Sequence, residues 1–276
     1  FPLYGGNEIH VEDNQVHTEL RDAAASIPRN YQIITSRGCP FSCTYCLHGK
    51  IRELYPGQKY LRRRSVENVI AELEQRSSQG FFTPFLPFYD EVFARDKKWI
   101  EEFARQYGRR IALPFTGYAH ESLSTFEMLR SLQEAGMTSA ALSFQSGSER
   151  ICRDIYKRRN NYDRLVELAQ RIHETKLFEI MVFEGLTNSP FETEEDCRAT
   201  LEFLLRLPTP FYLQICKLAI FPGTKIEKMP RPENALDEGS FRFWNMLYLL
   251  TQSQHLSRDT IRSLVDDSHL RANPGL

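Results

Sequence analysis

Residues 37–49 read Arg-Gly-Cys-Pro-Phe-Ser-Cys-Thr-Tyr-Cys-Leu-His-Gly and set Cys39, Cys43 and Cys46 in a CxxxCxxC spacing. A loop this tight can bring three thiolates onto one face of a small metal site. Soft thiolates select zinc, cuprous copper or iron–sulfur clusters. Structural zinc is tetrahedral and takes four ligands. His48 is a conceivable fourth, yet it lies two residues beyond Cys46 and would strain a closed site. Three cysteines without a fourth ligand suit an iron–sulfur cluster that keeps one iron open.

Working outward, residues 31–35 form a β-rich run that ends at the cysteines, which places the loop at the carboxyl end of a first strand. Active sites of parallel-strand barrels sit at that end. Strand and helix signals then alternate. Ser65 opens a helix with Val66, Val69, Ile70 and Leu73 at helical spacing and Gly80 beyond it. Residues 81–89 read as a second strand despite Pro84 and Pro87, and run into Asp90 and Glu91. Asp96 caps a helix running to Gly108. Residues 111–115 are a third strand leading to His120, a weak catalytic candidate whose bland alternative is a structural histidine. Ser124 and Glu127 make a capping box for the next helix, which Gly136 stops. Residues 138–144 are a fourth strand entering Gln145, Ser146, Gly147 and Ser148; Gly147 permits close backbone approach and Ser148 can cap the next helix. A helix over 162–175, a strand over 177–184, a helix from Thr193 and a strand over 211–221 complete the series.

Six alternations predict an α/β fold, a parallel sheet curled into a partial (βα)6 barrel of TIM-like type. Residues 1–30 read as an extended lead-in with a short helix near 20–26, residues 31–225 as the barrel, and residues 226–276 as a helical extension over the barrel mouth or against another domain. Arg62, Arg63 and Arg64 form a basic patch, equally readable as a solvated turn.

Composition narrows the partners. The formal net charge is −1, so no global basic field attracts nucleic acid. The longest apolar runs, 81–89 and 246–250, are too short to span a membrane, and no signal-peptide pattern opens the chain. The chain starts at Phe1, and its Phe-Pro-Leu-Tyr-Gly-Gly opening reads as a linker, which predicts a further domain upstream. Cys152, Cys197 and Cys216 are scattered and read as small buried hydrophobes. An oxygen-sensitive cluster needs a reducing compartment, which predicts a cytoplasmic protein.

The Cys-Pro-Phe-Ser-Cys-Thr-Tyr-Cys run, with aromatic Tyr45 before the last cysteine, resembles the signature of the radical S-adenosylmethionine (SAM) superfamily. That resemblance implies a four-iron four-sulfur cluster held by Cys39, Cys43 and Cys46. It implies SAM chelating the open iron and reductive cleavage to a 5′-deoxyadenosyl radical that takes hydrogen from substrate. It further implies Glu91, with Asp90 beside it, for the SAM amino group, Gln145 and Ser146 for its ribose and carboxylate, and Arg158 of the Lys157–Arg159 run for its carboxylate. Tyr45 joins this cofactor-binding set.

Gln-Ser-Gly-Ser, the Pro-Phe-Glu-Thr stretch at 190–193 and Phe-Pro-Gly-Thr at 221–224 are similar to the catalytic core of cobalamin-associated radical SAM enzymes. Through that resemblance cobalamin is a further cofactor and carbon methylation a reaction, although the chain shows no Asp-x-His-x-x-Gly cobalamin fingerprint. The same resemblance implies a small-molecule or peptide substrate and a reductant such as flavodoxin or ferredoxin as partners. The alternatives are a methylthiotransferase-like RNA modifier and a non-catalytic iron–sulfur or zinc module.

Overall fold

In a computed structural model, residues 8–13, 15–19, 31–78 and 85–272 are described. Near the start, β1 (Glu8–Glu12) and β2 (Gln15–Glu19) pair as an antiparallel hairpin where the sequence predicts an extended lead-in. The helix expected near 20–26 lies outside the described residues.

Five parallel strands carry the fold: β5 (Leu86–Phe88), β6 (Phe115–Ala119), β7 (Met137–Gln145), β8 (Met181–Thr187) and β9 (Phe211–Lys217), hydrogen-bonded in chain order. The sixth position is rudimentary. Ile33 makes a single parallel bridge to Phe88, donating to Pro87 O at 3.3 Å and accepting from Tyr89 N at 2.9 Å. Just beyond it, β3 (Ser36–Arg37) turns away to pair with β4 (Arg62–Arg63). The result is an α/β sheet with intervening helices, as the alternation predicts.

Those helices are α2 (Val66–Ser78), α3 (Lys97–Arg110), α4 (Phe126–Glu134), α5 (Tyr162–Glu174) and α6 (Glu194–Leu205), preceded by α1 (Leu47–Leu54) after the cysteines. Alternate residues of each strand decide which face they cover. Leu86, Phe88, Phe115, Leu142, Phe144, Met181, Phe183, Phe211 and Leu213 are buried against the helices in one continuous core. Thr116, Tyr118, Ser143, Val182 and Glu184 point the other way and are half-buried, so period-two patterning gives this sheet an apolar back and a polar front.

Three strands are displaced from their sequence reading. Residues 111–114 are a connection, because Pro114 lacks an N–H and Ala112 takes φ +52°; the ladder starts at Phe115. Likewise the strand expected over 177–184 starts at Met181, and β9 ends at Lys217. Gly108 does not stop α3, which runs to Arg110. Ser124 does not cap α4. Thr125 does, accepting from Met128 N at 3.3 Å, while the Ser124 hydroxyl accepts from His120 N and donates to Ala94 O.

The final helices, α7 (Glu238–Leu250), α8 (Arg258–Ser263) and α9 (Ser268–Ala272), do not form a separate layer. Phe241, Trp244, Leu247 and Tyr248 enter the main core, and Gln252 accepts from Leu213 N at 2.7 Å.

Candidate active site at the cysteine loop

Backbone geometry holds the cysteine loop before any ligand is considered. Gly38 has φ +83°, and a Cβ there would lie 2.5 Å from Tyr60 O, so only glycine fits. Arg52 donates to Cys39 O at 2.7 Å. Thr44 ties the loop to distant segments: its N–H reaches Tyr156 O at 2.9 Å, its hydroxyl reaches Ile155 O at 2.6 Å, and its carbonyl accepts from Ile226 N at 3.1 Å. These long-range bonds order the loop on the fold.

None of the three thiols is in a disulfide; Cys43 is buried and the other two half-buried. Burial pushes the Cys39 thiol up to about 11 and also raises Cys46. Iron coordination would reverse that preference, since a coordinating thiol is deprotonated. Among the described residues no three His, Cys, Asp or Glu side chains are disposed to hold one metal ion. A cluster spreads its thiolates over separate irons, so the sulfurs need not converge on a point. The donor set therefore fits an iron–sulfur cluster.

Glu91 and Asp90 behave differently although adjacent. Glu91 lies at the mouth, about half exposed, with Oε1 2.6 Å from His48 Nε2. The other His48 nitrogen, Nδ1, is 2.5 Å from the Tyr60 hydroxyl. A cavity of about 420 Å³ opens here, bordered by Arg37, Gly38, His48, Tyr60, Tyr89 and Glu91. Asp90 is buried and fully engaged. It accepts from Thr35 N at 2.9 Å, from Thr35 Oγ1 at 2.8 Å and from the Ser36 hydroxyl, which fixes the strand end that feeds the loop.

The β7 exit is split in the same way. Gln145 is half-buried, takes φ +68° and sits at a register irregularity opposite Gly185. Ser146 is fully buried against Thr200 of α6, its hydroxyl 3.2 Å from Thr200 Oγ1 and accepting from Ser148 N at 3.1 Å. The structure thus leaves Gln145 near the mouth and turns Ser146 into the packing. Gly147 allows close approach, but to α6: a Cβ there would lie 2.5 Å from Thr200 Cα. Ser148 caps the following turn, accepting from Ile151 N at 3.3 Å and donating to Asp196 at 2.5 Å.

Arg158 lies buried behind the loop and donates to Asn160 Oδ1 at 2.8 Å and to Ser143 O. Burial works against its charge, but Tyr45, Cys43, Glu121 and Cys152 outweigh that and raise its pKa. Tyr45 packs edge-on to Tyr156, with ring centroids 4.9 Å apart; burial raises its hydroxyl well above the usual range. His120 is stacked on Phe41 at 4.2 Å, with Nδ1 3.0 Å from Glu121 and 2.9 Å from the Ser122 hydroxyl. Its Nε2 is buried and has no hydrogen-bond partner among the described residues, and burial lowers its pKa.

Two sequence readings are corrected. Cys216 is exposed on the front of β9, whereas Cys152 and Cys197 are buried as expected. The arginine run is no uniform patch. Arg63 is stacked over Trp99 at 3.7 Å and donates to Phe93 O at 2.7 Å, and burial lowers its pKa to about 10; Arg64 pairs with Glu72, and Arg62 is exposed. Sequence reasoning missed the His48–Glu91–Tyr60 relay. Its only signal was a histidine two residues past the last cysteine.

Comparison with known proteins places this site in context. The family model described as Radical SAM superfamily matches residues 33–204. An uncharacterized methyltransferase of Pyrococcus horikoshii is 24% identical over 244 residues, covering 86% of this chain and 50% of the relative. A tRNA-2-methylthio-N(6)-dimethylallyladenosine synthase of Mycolicibacterium gilvum is 24% identical over 239 residues, covering 79% of this chain and 45% of the relative. The chain thus spans about half the length of the curated relatives it matches. Among solved structures, the radical S-adenosylmethionine methyltransferase TsrM from Kitasatospora setae, with cobalamin and a four-iron four-sulfur cluster bound, superposes with TM-score 0.57 at 19% identity, covering 71% of this chain and 38% of that one. No described helix is long and apolar enough to cross a membrane.

Proposed function

The chain belongs to the radical SAM superfamily, and from that premise we propose that it cleaves SAM reductively at a four-iron four-sulfur cluster held by Cys39, Cys43 and Cys46. The observation that carries this reading is the ordered three-cysteine loop at the mouth of the sheet, with the Glu91 carboxylate beside it. When bound, the cluster and SAM supply one-electron chemistry and a carbon radical that removes hydrogen from substrate.

The chain's own residues hold and shield. Glu91 presents a carboxylate to the SAM ammonium, a charge-assisted contact, while His48 and Tyr60 fix its position. Asp90 acts one step back, fastening Thr35 and Ser36 so that the cysteines leave the sheet at a set point. Gln145 offers an amide at the mouth, and the buried Ser146 positions it through the turn. Arg158 places a buried positive charge behind the loop, near Cys43 and Tyr45. His120 stacks on Phe41 and supports the loop from below. Residues 31–225 form the catalytic unit, residues 1–30 lead into it, and residues 226–276 brace its outer helices.

The overall reaction within this reading is cobalamin-dependent methylation of a small-molecule or peptide substrate, with a flavodoxin- or ferredoxin-type reductant and a cobalamin-binding domain elsewhere in the full-length protein. Support comes from the TsrM likeness and the methyltransferase relative. Methylthio transfer is the second reading, favoured by the synthase relative. One experiment separates them: anaerobically reconstituted protein receives dithionite and SAM, with and without cobalamin. Deoxyadenosine establishes radical chemistry, S-adenosylhomocysteine only with cobalamin supports methylation, and neither product from cluster-loaded, SAM-bound protein sinks the proposal.

A further inference from the structure

The polar front of the sheet holds a carboxylate that the proposed SAM site does not use. Glu184 sits in the middle of β8, in register with Ser143 on one side and Gln214 on the other. Its neighbour Phe183 is buried in the core, so strand alternation turns Glu184 to the front of the sheet. Ser143 Oγ donates to Glu184 Oε2 at 2.7 Å. The second oxygen, Oε1, has no described hydrogen-bond donor, and no described Lys, Arg or His forms an ion pair with this carboxylate. Burial disfavours its charged form and raises its pKa, which the Ser143 bond opposes.

The surroundings are acidic and aromatic. The Tyr118 phenol, two strands away on β6 and in register with Ala141 and Val182, is pushed up to about 12 by burial first and then by Glu184, Tyr89, Glu91 and Cys216. Arg158, a buried cation in this part of the fold, directs its guanidinium to Asn160 and the Ser143 carbonyl and is influenced by Tyr45, Cys43 and Glu121. A carboxylate without a cationic partner on this front suits an ammonium, which gains a charge-assisted hydrogen bond from it.

We propose that Glu184, with Ser143 orienting it, recognises a positively charged nitrogen on the substrate, an amine or ammonium group. The inference rests on the reading that the front of the sheet faces the reaction, and it deepens that reading by naming a substrate class. Glu184 is a specificity residue here. SAM also carries cationic groups, so the test must tell the two sources apart.

The test uses the cluster-loaded protein and three probes of one shape: benzylamine, benzyl alcohol and benzoate, followed by ligand-observed NMR titration. Benzylamine should bind better than both others, and Glu184→Gln, which preserves size and the Ser143 bond, should weaken it by about tenfold. Glu184→Asp, which keeps the charge, should retain much of the preference. Equal binding of the three probes, or unchanged benzylamine affinity in Glu184→Gln, overturns the site. A drop in SAM affinity in Glu184→Gln with benzylamine unaffected also overturns it, assigning the carboxylate to SAM. Deoxyadenosine formation by the unmutated protein is scored separately. Amine selectivity without deoxyadenosine would sink the radical reading and leave the site, and deoxyadenosine without amine selectivity would do the reverse.

Discussion

His48 Nε2 stands 2.6 Å from Glu91 Oε1, so the residue two places after the last cysteine holds the acid at the end of β5. The cysteine loop and the end of the next strand are thereby joined. Tyr60 completes the relay at 2.5 Å from His48 Nδ1. Because His48 engages one Glu91 oxygen, the other can meet a cationic ligand. Glu91→Gln removes the charge and keeps the shape. Its SAM dissociation constant should rise about 10- to 100-fold, the worth of a charge-assisted hydrogen bond. Iron content should stay at the unmutated value. Equilibrium dialysis with labelled SAM, beside an iron assay, checks both halves, and unchanged affinity would remove Glu91 from the SAM site.

The three cysteines should be individually indispensable. Replacing Cys39, Cys43 or Cys46 with alanine should take iron from about four per chain to near none, with the cluster's visible absorption lost. Deoxyadenosine should then be undetectable. The loop's backbone bonds through Thr44 and Arg52 do not depend on the thiols, so circular dichroism should show a folded protein. Full iron loading in any one variant would refute the ligand assignment.

Asp90→Asn should act on folding rather than on affinity. Three donors converge on this buried carboxylate, from Thr35 N, Thr35 Oγ1 and Ser36 Oγ. An amide brings its own donors into that cluster and leaves at least one pairing broken, at a cost of about 1–3 kcal/mol. The urea midpoint should fall and cluster loading should weaken with it. A midpoint equal to that of the unmutated protein would show that the contacts contribute nothing net.

The order of elements and the identity of the loop were legible in the residues. The family could be read because its motif is concentrated in the eight residues from Cys39 to Cys46. The polar pairs were less legible, because they depend on which way a strand end turns. Asp90 and Glu91 are neighbours in sequence, yet the turn beyond β5 buries one and exposes the other. Ser146 and Gln145 divide in the same way at the β7 bulge. Arg63 looked like its two neighbours, and only the packing of Trp99 and Phe93 from another helix and loop sets it apart. Strand starts slipped by about four residues at Phe115 and Met181, where apolar connections mimic the strands they feed.

Gly147 gives a prediction that owes nothing to the cofactor. A Cβ on it would come within 2.5 Å of Thr200 Cα and 2.8 Å of Phe203 Cβ, and neither backbone nor core can yield cheaply. Gly147→Ala should therefore push α6 off β7 and cost about 1–3 kcal/mol. For a chain of this size each kilocalorie lowers Tm by about 2–4 °C. An unshifted melting curve would mean that the turn relaxes without moving α6.

Glu192 makes the stability of the same region depend on pH. It is buried, accepts from Ser189 N at 3.1 Å and lies near Asp196 and Arg150. Burial raises its pKa to about 8 from an ordinary 4.5; the Ser189 N–H pulls it back, Asp196 adds to the rise and Arg150 opposes it. Between those two values the folded chain keeps a proton that the unfolded chain has released. Stability from this group is therefore complete below the unfolded pKa, falls as pH rises through the window, and levels off above the folded pKa. Glu192→Gln holds the same acceptor toward Ser189 but cannot ionise. Its Tm should gain on that of the unmutated protein as pH climbs from about 5 to about 8, with the difference flat on either side. Differential scanning calorimetry in matched buffers reads this directly, because titrating groups remote from Glu192 cancel in the comparison. Parallel Tm curves across the window would show that Glu192 ionises in the folded state as it does in the unfolded chain, and that Arg150 or water reaches it despite its burial.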